Sequence, residues 1–256
     1  VSEAQAEVTE EIIPNVEIPV IDLRVRDTHR LIPSKYSASK YGDGGTVLSR
    51  LTEDEATLNS LIELDGATND RLLGEEGLLP GIGVHELVYG VSYAHIVNAA
   101  FTHASPAGGR FNNNRRGAWY AGIERETSVA EVAFHKLRQL EEIEWPEEEP
   151  STYDDYLADF AVGMHDLRGR RAEYQRYLQP DPIPECYAEP QHLASDILSR
   201  QSNGIIYTSV RRKGRSCLVC FRPALVYHVR QDARLEFSLR AGEKFDPKQV
   251  KEVPVI

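Results

Sequence analysis

The chain has few cysteines. Cys186, Cys217 and Cys220 are the three in 256 residues, alongside one methionine and two tryptophans. Three thiols cannot build a disulfide framework, so a reducing, cytoplasmic setting is expected. No segment approaches the roughly 20 uninterrupted apolar residues of a membrane span, and no membrane partner is expected. Basic residues are also in deficit: 29 Lys and Arg stand against 40 Asp and Glu, for a formal net charge of -11. A broad phosphate-backbone surface needs many cations on one face, so this balance argues against nucleic acid as a direct partner. It does not exclude a small anionic ligand, because two or three arginines in a pocket hold a phosphate whatever the overall charge. The opening Ser2-Glu3-Ala4-Gln5 has neither the basic start nor the apolar run of a secretory signal, and residues 1–17 are expected as a flexible tail.

What remains is ordinary for a globular protein, with 41% hydrophobic and 27% charged residues. The length allows one large domain. The expectation is a single domain over 18–256, with insertions at about 42–105 and 141–190.

Along the chain, Ile18-Pro19-Val20-Ile21-Asp22-Leu23 and Thr28-His29-Arg30-Leu31-Ile32-Pro33 read as a lead-in and a first strand. Gly42 to Gly45 is a turn cluster, Thr52 to Leu64 a short amphipathic helix, and Gly74 to Gly83 a loop. Val84 to Phe101 is apolar without a clear period, and helix and strand both stay open there. A strand is expected at Ala118 to Ala121. A helix then starts near Thr127 or Ser128, with either hydroxyl as cap and Val129, Val132, Ala133, Phe134, Leu137 and Leu140 as its apolar stripe. Glu141 to Pro150 reads as an acidic connection and Tyr153 to Tyr177 as helical. His192 to Gln201 is a helix stopped by Asn203-Gly204. Strands follow at Ile205 to Val210, Cys217 to Phe221 and Leu225 to Val229, the first two joined by the basic hairpin turn Arg211-Arg212-Lys213-Gly214-Arg215. That turn reads as solvated, or as a place for an acidic partner to dock. No internal repeat is visible.

Several common site patterns are missing. The glycine clusters match neither a P-loop nor Gly-x-Gly-x-x-Gly, and Gly-x-Ser-x-Gly is absent. Cys217-Leu218-Val219-Cys220 has metal-like spacing, but it lies in an apolar strand with no second matching pair, so buried structural thiols and no metal are expected.

One combination stands out: Gly108-Gly109-Arg110-Phe111-Asn112, Trp119-Tyr120 and Ala130-Glu131, within one strand and one helix. Together with Arg30-Leu31-Ile32-Pro33 and Gly204-Ile205-Ile206-Tyr207-Thr208-Ser209, it resembles the RES-domain toxin family, with matches from about residue 28 to about 229. The resemblance departs at Leu31, where the family often has an aromatic residue, and at Ser216, where it commonly has asparagine. It implies an α+β fold with a curved, mainly antiparallel sheet core like that of ADP-ribosyltransferases, carrying helical insertions. It also implies action on NAD as substrate, with no separate cofactor.

The residues carried over are Arg30, Arg110, Tyr120, Glu131 and Ser209. Cleavage of the nicotinamide–ribose bond develops positive charge on the ribose, as in glycoside hydrolysis, and a carboxylate stabilises that cation. Glu131 is the candidate, although on the helical wheel it lies opposite the apolar stripe, where a glutamate is normally solvated. Arg30 and Arg110 suit the pyrophosphate, since a guanidinium makes paired, charge-assisted hydrogen bonds to phosphate oxygens. Tyr120 is expected at the nicotinamide or ribose, and Ser209 as a ligand-contacting hydroxyl rather than a nucleophile. His135, one turn after Glu131, either tunes it or is simply part-exposed. Water as acceptor gives a glycohydrolase, inorganic phosphate a phosphorylase, and a protein side chain an ADP-ribosyltransferase. A non-catalytic nucleotide- or partner-binding module is the reading from another class. The resemblance further implies a helix-turn-helix antitoxin partner. The two insertions are open between a lid, a homo-oligomer contact and a surface for that neutralising partner.

Overall fold

In a computed structural model of the chain, residues 17–36, 81–169 and 171–254 are described. The expected turn at 42–45 and helix at 52–64 lie outside them. Seven strands form one sheet: β1 (Val20–Pro33), β2 (Trp119–Gly122), β3 (Glu149–Leu167), β4 (Gly204–Thr208), β5 (Ser216–Cys220), β6 (Tyr227–Leu239) and β7 (Lys251–Val253), in the order β1-β2-β5-β4-β3-β6-β7. A further β1–β3 pairing closes five of them into a ring. Every pairing is antiparallel except β3 with β4. The expected mixed, mainly antiparallel α+β architecture is therefore present. Among the described residues the α-helices are α1 (Ala94–Thr102), α2 (Arg125–Glu142) and α3 (Ala188–Ser199), and none is long and apolar enough to cross a membrane.

The core follows from strand alternation, which sends successive side chains to opposite faces. On β5, Leu218 and Cys220 join Phe101, Ile96 and Trp119 on the α1 side, while Cys217 and Val219, with Phe221 just after the strand, join Ala194 and Ile197 of α3. A third cluster packs Val129, Ala133 and Leu140 of α2 on Leu31, Tyr153, Leu235 and Phe237. Both faces of the sheet are thus covered, and Cys217 and Cys220 are buried free thiols.

The largest departure from expectation is β3. Tyr153 to Tyr177 reads as helical, yet Glu149–Leu167 is a strand paired with β1, β4 and β6. That portion of the 141–190 stretch belongs to the sheet itself. The pattern misleads because Tyr153 through Ala158 are all buried, so no polar face marks a period of two. Its two buried aspartates are paired: Asp154 with Arg234, and Asp155 with His29 and Arg125.

Smaller corrections have local causes. α2 begins at Arg125, with Glu124 at its cap position, rather than at Thr127 or Ser128. Ser128 Oγ accepts from the Gly122 amide (2.9 Å) and donates to the His29 carbonyl (2.6 Å), tying α2, β2 and β1 together. A Cβ on Gly122 would sit 2.6 Å from that hydroxyl, so only glycine lets the helix come this close. α3 starts at Ala188, earlier than His192. The stretch left open at 84–101 leads into α1, which ends at Thr102, and the strand expected at Leu225 to Val229 is β6, running from Tyr227 to Leu239.

Candidate active site

β1 and β2 are in register at a single pair, His29 with Gly122, the last residue of β2. A pocket of about 470 Å³ opens there, a size within the usual range for small-molecule sites. Its walls include His29, Arg30 and Leu31 from β1, Tyr120 and Gly122 from β2, Glu131, Val132 and His135 from α2, and Cys217 from β5. The loop ahead of β2 contributes Gly108, Gly109 and Arg110, and Tyr187, Tyr207 and Arg211 complete the rim. Four of the five expected site residues therefore meet in one cavity: Arg30, Arg110, Tyr120 and Glu131.

The fifth, Ser209, lies outside that lining and behind Glu131. It is buried, and its Oγ donates to Glu131 Oε1 at 2.7 Å. The same hydroxyl accepts from the amides of Arg211 (3.2 Å) and Arg212 (2.9 Å). Glu131 Oε1 also lies 3.8 Å from the Cys217 thiol, whose pKa burial pushes up, with the Glu131 charge adding to the effect. The other carboxylate oxygen has no protein donor among the described residues. Although Glu131 lies opposite the buried stripe of α2, that polar face is turned to the pocket and half-buried.

Arg30 donates to the Tyr120 carbonyl (3.2 Å) and lies 4.9 Å above the Trp119 ring. Burial lowers its pKa to about 10, which still leaves the guanidinium charged at neutral pH, and its buried Nε has no hydrogen-bond partner. Arg110 is 6% exposed. Its Nη1 donates to the Gln179 (2.7 Å) and Tyr177 (3.3 Å) carbonyls, and its guanidinium lies 5.1 Å from the Tyr187 ring centre. Tyr120 spends its hydroxyl on the loop that carries Arg110, donating to Asn112 Oδ1 and accepting from the Phe111 amide, both at 2.8 Å. Burial pushes its pKa up. A Cβ on Gly109 would meet that hydroxyl at 2.8 Å and Asn112 Oδ1 at 2.5 Å, so the glycine before Arg110 is needed for close approach.

Two pocket residues, Arg211 and His29, escape sequence reasoning. Arg211 belongs to the hairpin turn that reads as solvated, yet its side chain is 9% exposed and its guanidinium stacks 3.3 Å over the Phe134 ring. The rest of the turn is fastened to the start of α2, through Arg212 to Glu124 and Glu126 and through Arg215 to Glu124. His135 is exposed, yet desolvation of its ring by the surrounding wall and the charges of Arg211, Arg110 and Arg138 lower its pKa to about 4. His29 lines the pocket with its Nδ1 2.8 Å from the buried Asp155 carboxylate. Its position next to Arg30 is the only signal in the sequence, and its partner is more than a hundred residues away.

Three guanidinium groups and one carboxylate thus line one pocket of a chain whose net charge is -11. Such a site is suited to a ligand with more than one negative charge and a centre where positive charge develops.

No curated protein matches the sequence. Among solved structures, a chain of the M. tuberculosis MbcT-MbcA toxin-antitoxin complex is similar, with a TM-score of 0.37 and 12% identity, covering 52% of this chain and 73% of that one. The pattern described as the RES domain matches residues 87–240, a span that holds Arg110, Tyr120, Glu131 and Ser209. On that match over more than half of its length, the chain belongs to the RES domain family.

Proposed function

We propose that this protein is a toxin-like enzyme that cleaves the nicotinamide–ribose bond of NAD. The observation that carries the reading is the meeting of Glu131 with Arg30, Arg110 and Tyr120 in one cavity, with Glu131 held by Ser209 behind it. As the bond to the nicotinamide lengthens, the positive charge of its pyridinium ring passes to the ribose and nicotinamide leaves neutral. Glu131 stabilises that charge through the carboxylate oxygen that Ser209 leaves free. The arginines hold the pyrophosphate and so fix the ribose relative to Glu131, which converts binding into orientation. Tyr120 acts mainly by shaping the Arg110 loop while its ring forms pocket wall.

Water or inorganic phosphate then attacks the cation, as hydrolysis or phosphorolysis. A protein side chain in the same place would give ADP-ribosyl transfer, which needs the same cation and the same carboxylate. A neutralising antitoxin is the partner this reading brings with it.

The test is incubation of the protein with NAD, with and without phosphate, following nicotinamide and the ADP-ribose product by chromatography. Nicotinamide release that disappears in Glu131→Gln supports the assignment. Release that persists in the variant removes Glu131 from the chemistry.

A further inference from the structure

Arg110 and Arg211 are fixed by one short stretch of backbone. Arg110 Nη1 donates to the carbonyls of Tyr177 and Gln179, while Arg211 Nη2 donates to that of Pro180 at 2.6 Å. Arg211 Nη1 lies 3.5 Å from Asp181 Oδ2. Arg30, in contrast, is held elsewhere in the pocket, by the Tyr120 carbonyl and the Trp119 ring. Residues 177–181 therefore anchor two guanidinium groups of one pocket; Arg211 feels the charge of Arg110, and Tyr187 feels both. Like charges held together in a poorly solvated wall repel, and an anion between them reverses the sign of that term. Arg211 also has a buried Nε with no hydrogen-bond partner, although the side chain is 9% exposed.

We infer that Arg211 is an anion-binding residue of this pocket and that, with Arg110, it forms a two-guanidinium clamp for a phosphate group. The inference deepens the proposed NAD reading and rests on it for the choice of ligand. A guanidinium fork fits a tetrahedral oxyanion in paired hydrogen bonds, and anchoring both forks to one backbone segment reduces the ordering cost when the ligand arrives. Asp181, 60% exposed, is the counter-ion that the phosphate displaces. The phosphate has two possible sources with the same chemistry, the pyrophosphate of the dinucleotide or a free inorganic phosphate acting as acceptor.

Calorimetric titration of the full chain with pyrophosphate, and separately with inorganic phosphate, tests the clamp without requiring turnover. Arg211→Gln is expected to weaken binding of at least one anion by about 10-fold or more, with Arg211→Lys intermediate. Asp181→Asn removes the competing carboxylate and is expected to tighten binding at low ionic strength, which keeps the test decisive if Arg211→Gln melts early. Loss of pyrophosphate binding assigns the clamp to the dinucleotide, and loss confined to inorganic phosphate assigns it to the acceptor. Wild-type protein that binds neither anion overturns the inference, as does unchanged affinity in folded Arg211→Gln. Arg211-dependent anion binding without NAD cleavage would instead sink the proposed activity and leave the clamp standing.

Discussion

Ser209 has one hydroxyl proton, and the short contact is with Glu131. Two backbone amides donate to its oxygen, so the hydrogen goes to Glu131 at 2.7 Å. In this geometry Ser209 is a positioning residue for Glu131. Ser209→Ala is expected to lower kcat for nicotinamide release about 10- to 100-fold, the size of a hydrogen bond to a charged group, with KM for NAD little changed. A rise in KM at constant kcat would place the hydroxyl on the ligand instead. His135 supports a second expectation. Its folded pKa of about 4 lies below the ordinary 6.5, so between those values the unfolded chain binds more protons. Stability is then full above about pH 6.5 and falls as pH drops towards 4. His135→Gln should flatten the decline in melting temperature across that window, by less than full burial would give because the residue is exposed. Identical pH profiles for the two proteins would refute the depressed pKa. At this scale Arg110, Tyr120 and Glu131 are legible because they sit within 22 positions of one another around a glycine pair and a strand. Arg211 is not legible, because its burial depends on Pro180 and Phe134, which its own hairpin does not announce.

Among the elements, β3 organises the rest: it pairs with β1 on one edge and with β6 and then β4 on the other. Its attachment to β6 includes the Asp154–Arg234 pair, with Nε–Oδ1 at 2.6 Å and Nη2–Oδ2 at 3.1 Å, both residues buried. Arg234→Ala would leave the Asp154 carboxylate buried without its guanidinium, a change expected to cost about 3–5 kcal/mol. Urea denaturation measures it, and a loss below about 1 kcal/mol, the range of an exposed ion pair, would contradict the account. Short strands with turn residues at their ends, such as β2, β4 and β5, are legible to within a residue or two. β3 is not, since a strand whose stretch Tyr153 to Ala158 is wholly buried, with Asp154 and Asp155 between tyrosines, shows no alternation there, and those two charges are balanced by residues distant in sequence. α2 was legible as an amphipathic helix, but its start was set by Gly122 and Ser128 meeting across the sheet.

At the scale of the whole molecule, an acidic chain turns three arginines inward. The surplus of carboxylates elsewhere does not oppose a local anion site, because exposed charges beyond about 8–10 Å are screened at physiological salt, whereas those lining the pocket are not. The pocket lies at the single registered pair of β1 and β2, and residues far apart in the chain, from His29 to Cys217, close around it. Family membership across residues 87–240 and this convergence support the proposal that Glu131 stabilises a ribosyl cation formed from NAD. The measurement that tests it most directly is nicotinamide release from NAD by wild-type protein and by Glu131→Gln, both shown to be folded by thermal melting. A release rate in the variant at least about 100-fold lower, as expected for loss of a group acting in the transition state, is the predicted result. Equal rates in the two proteins would contradict it.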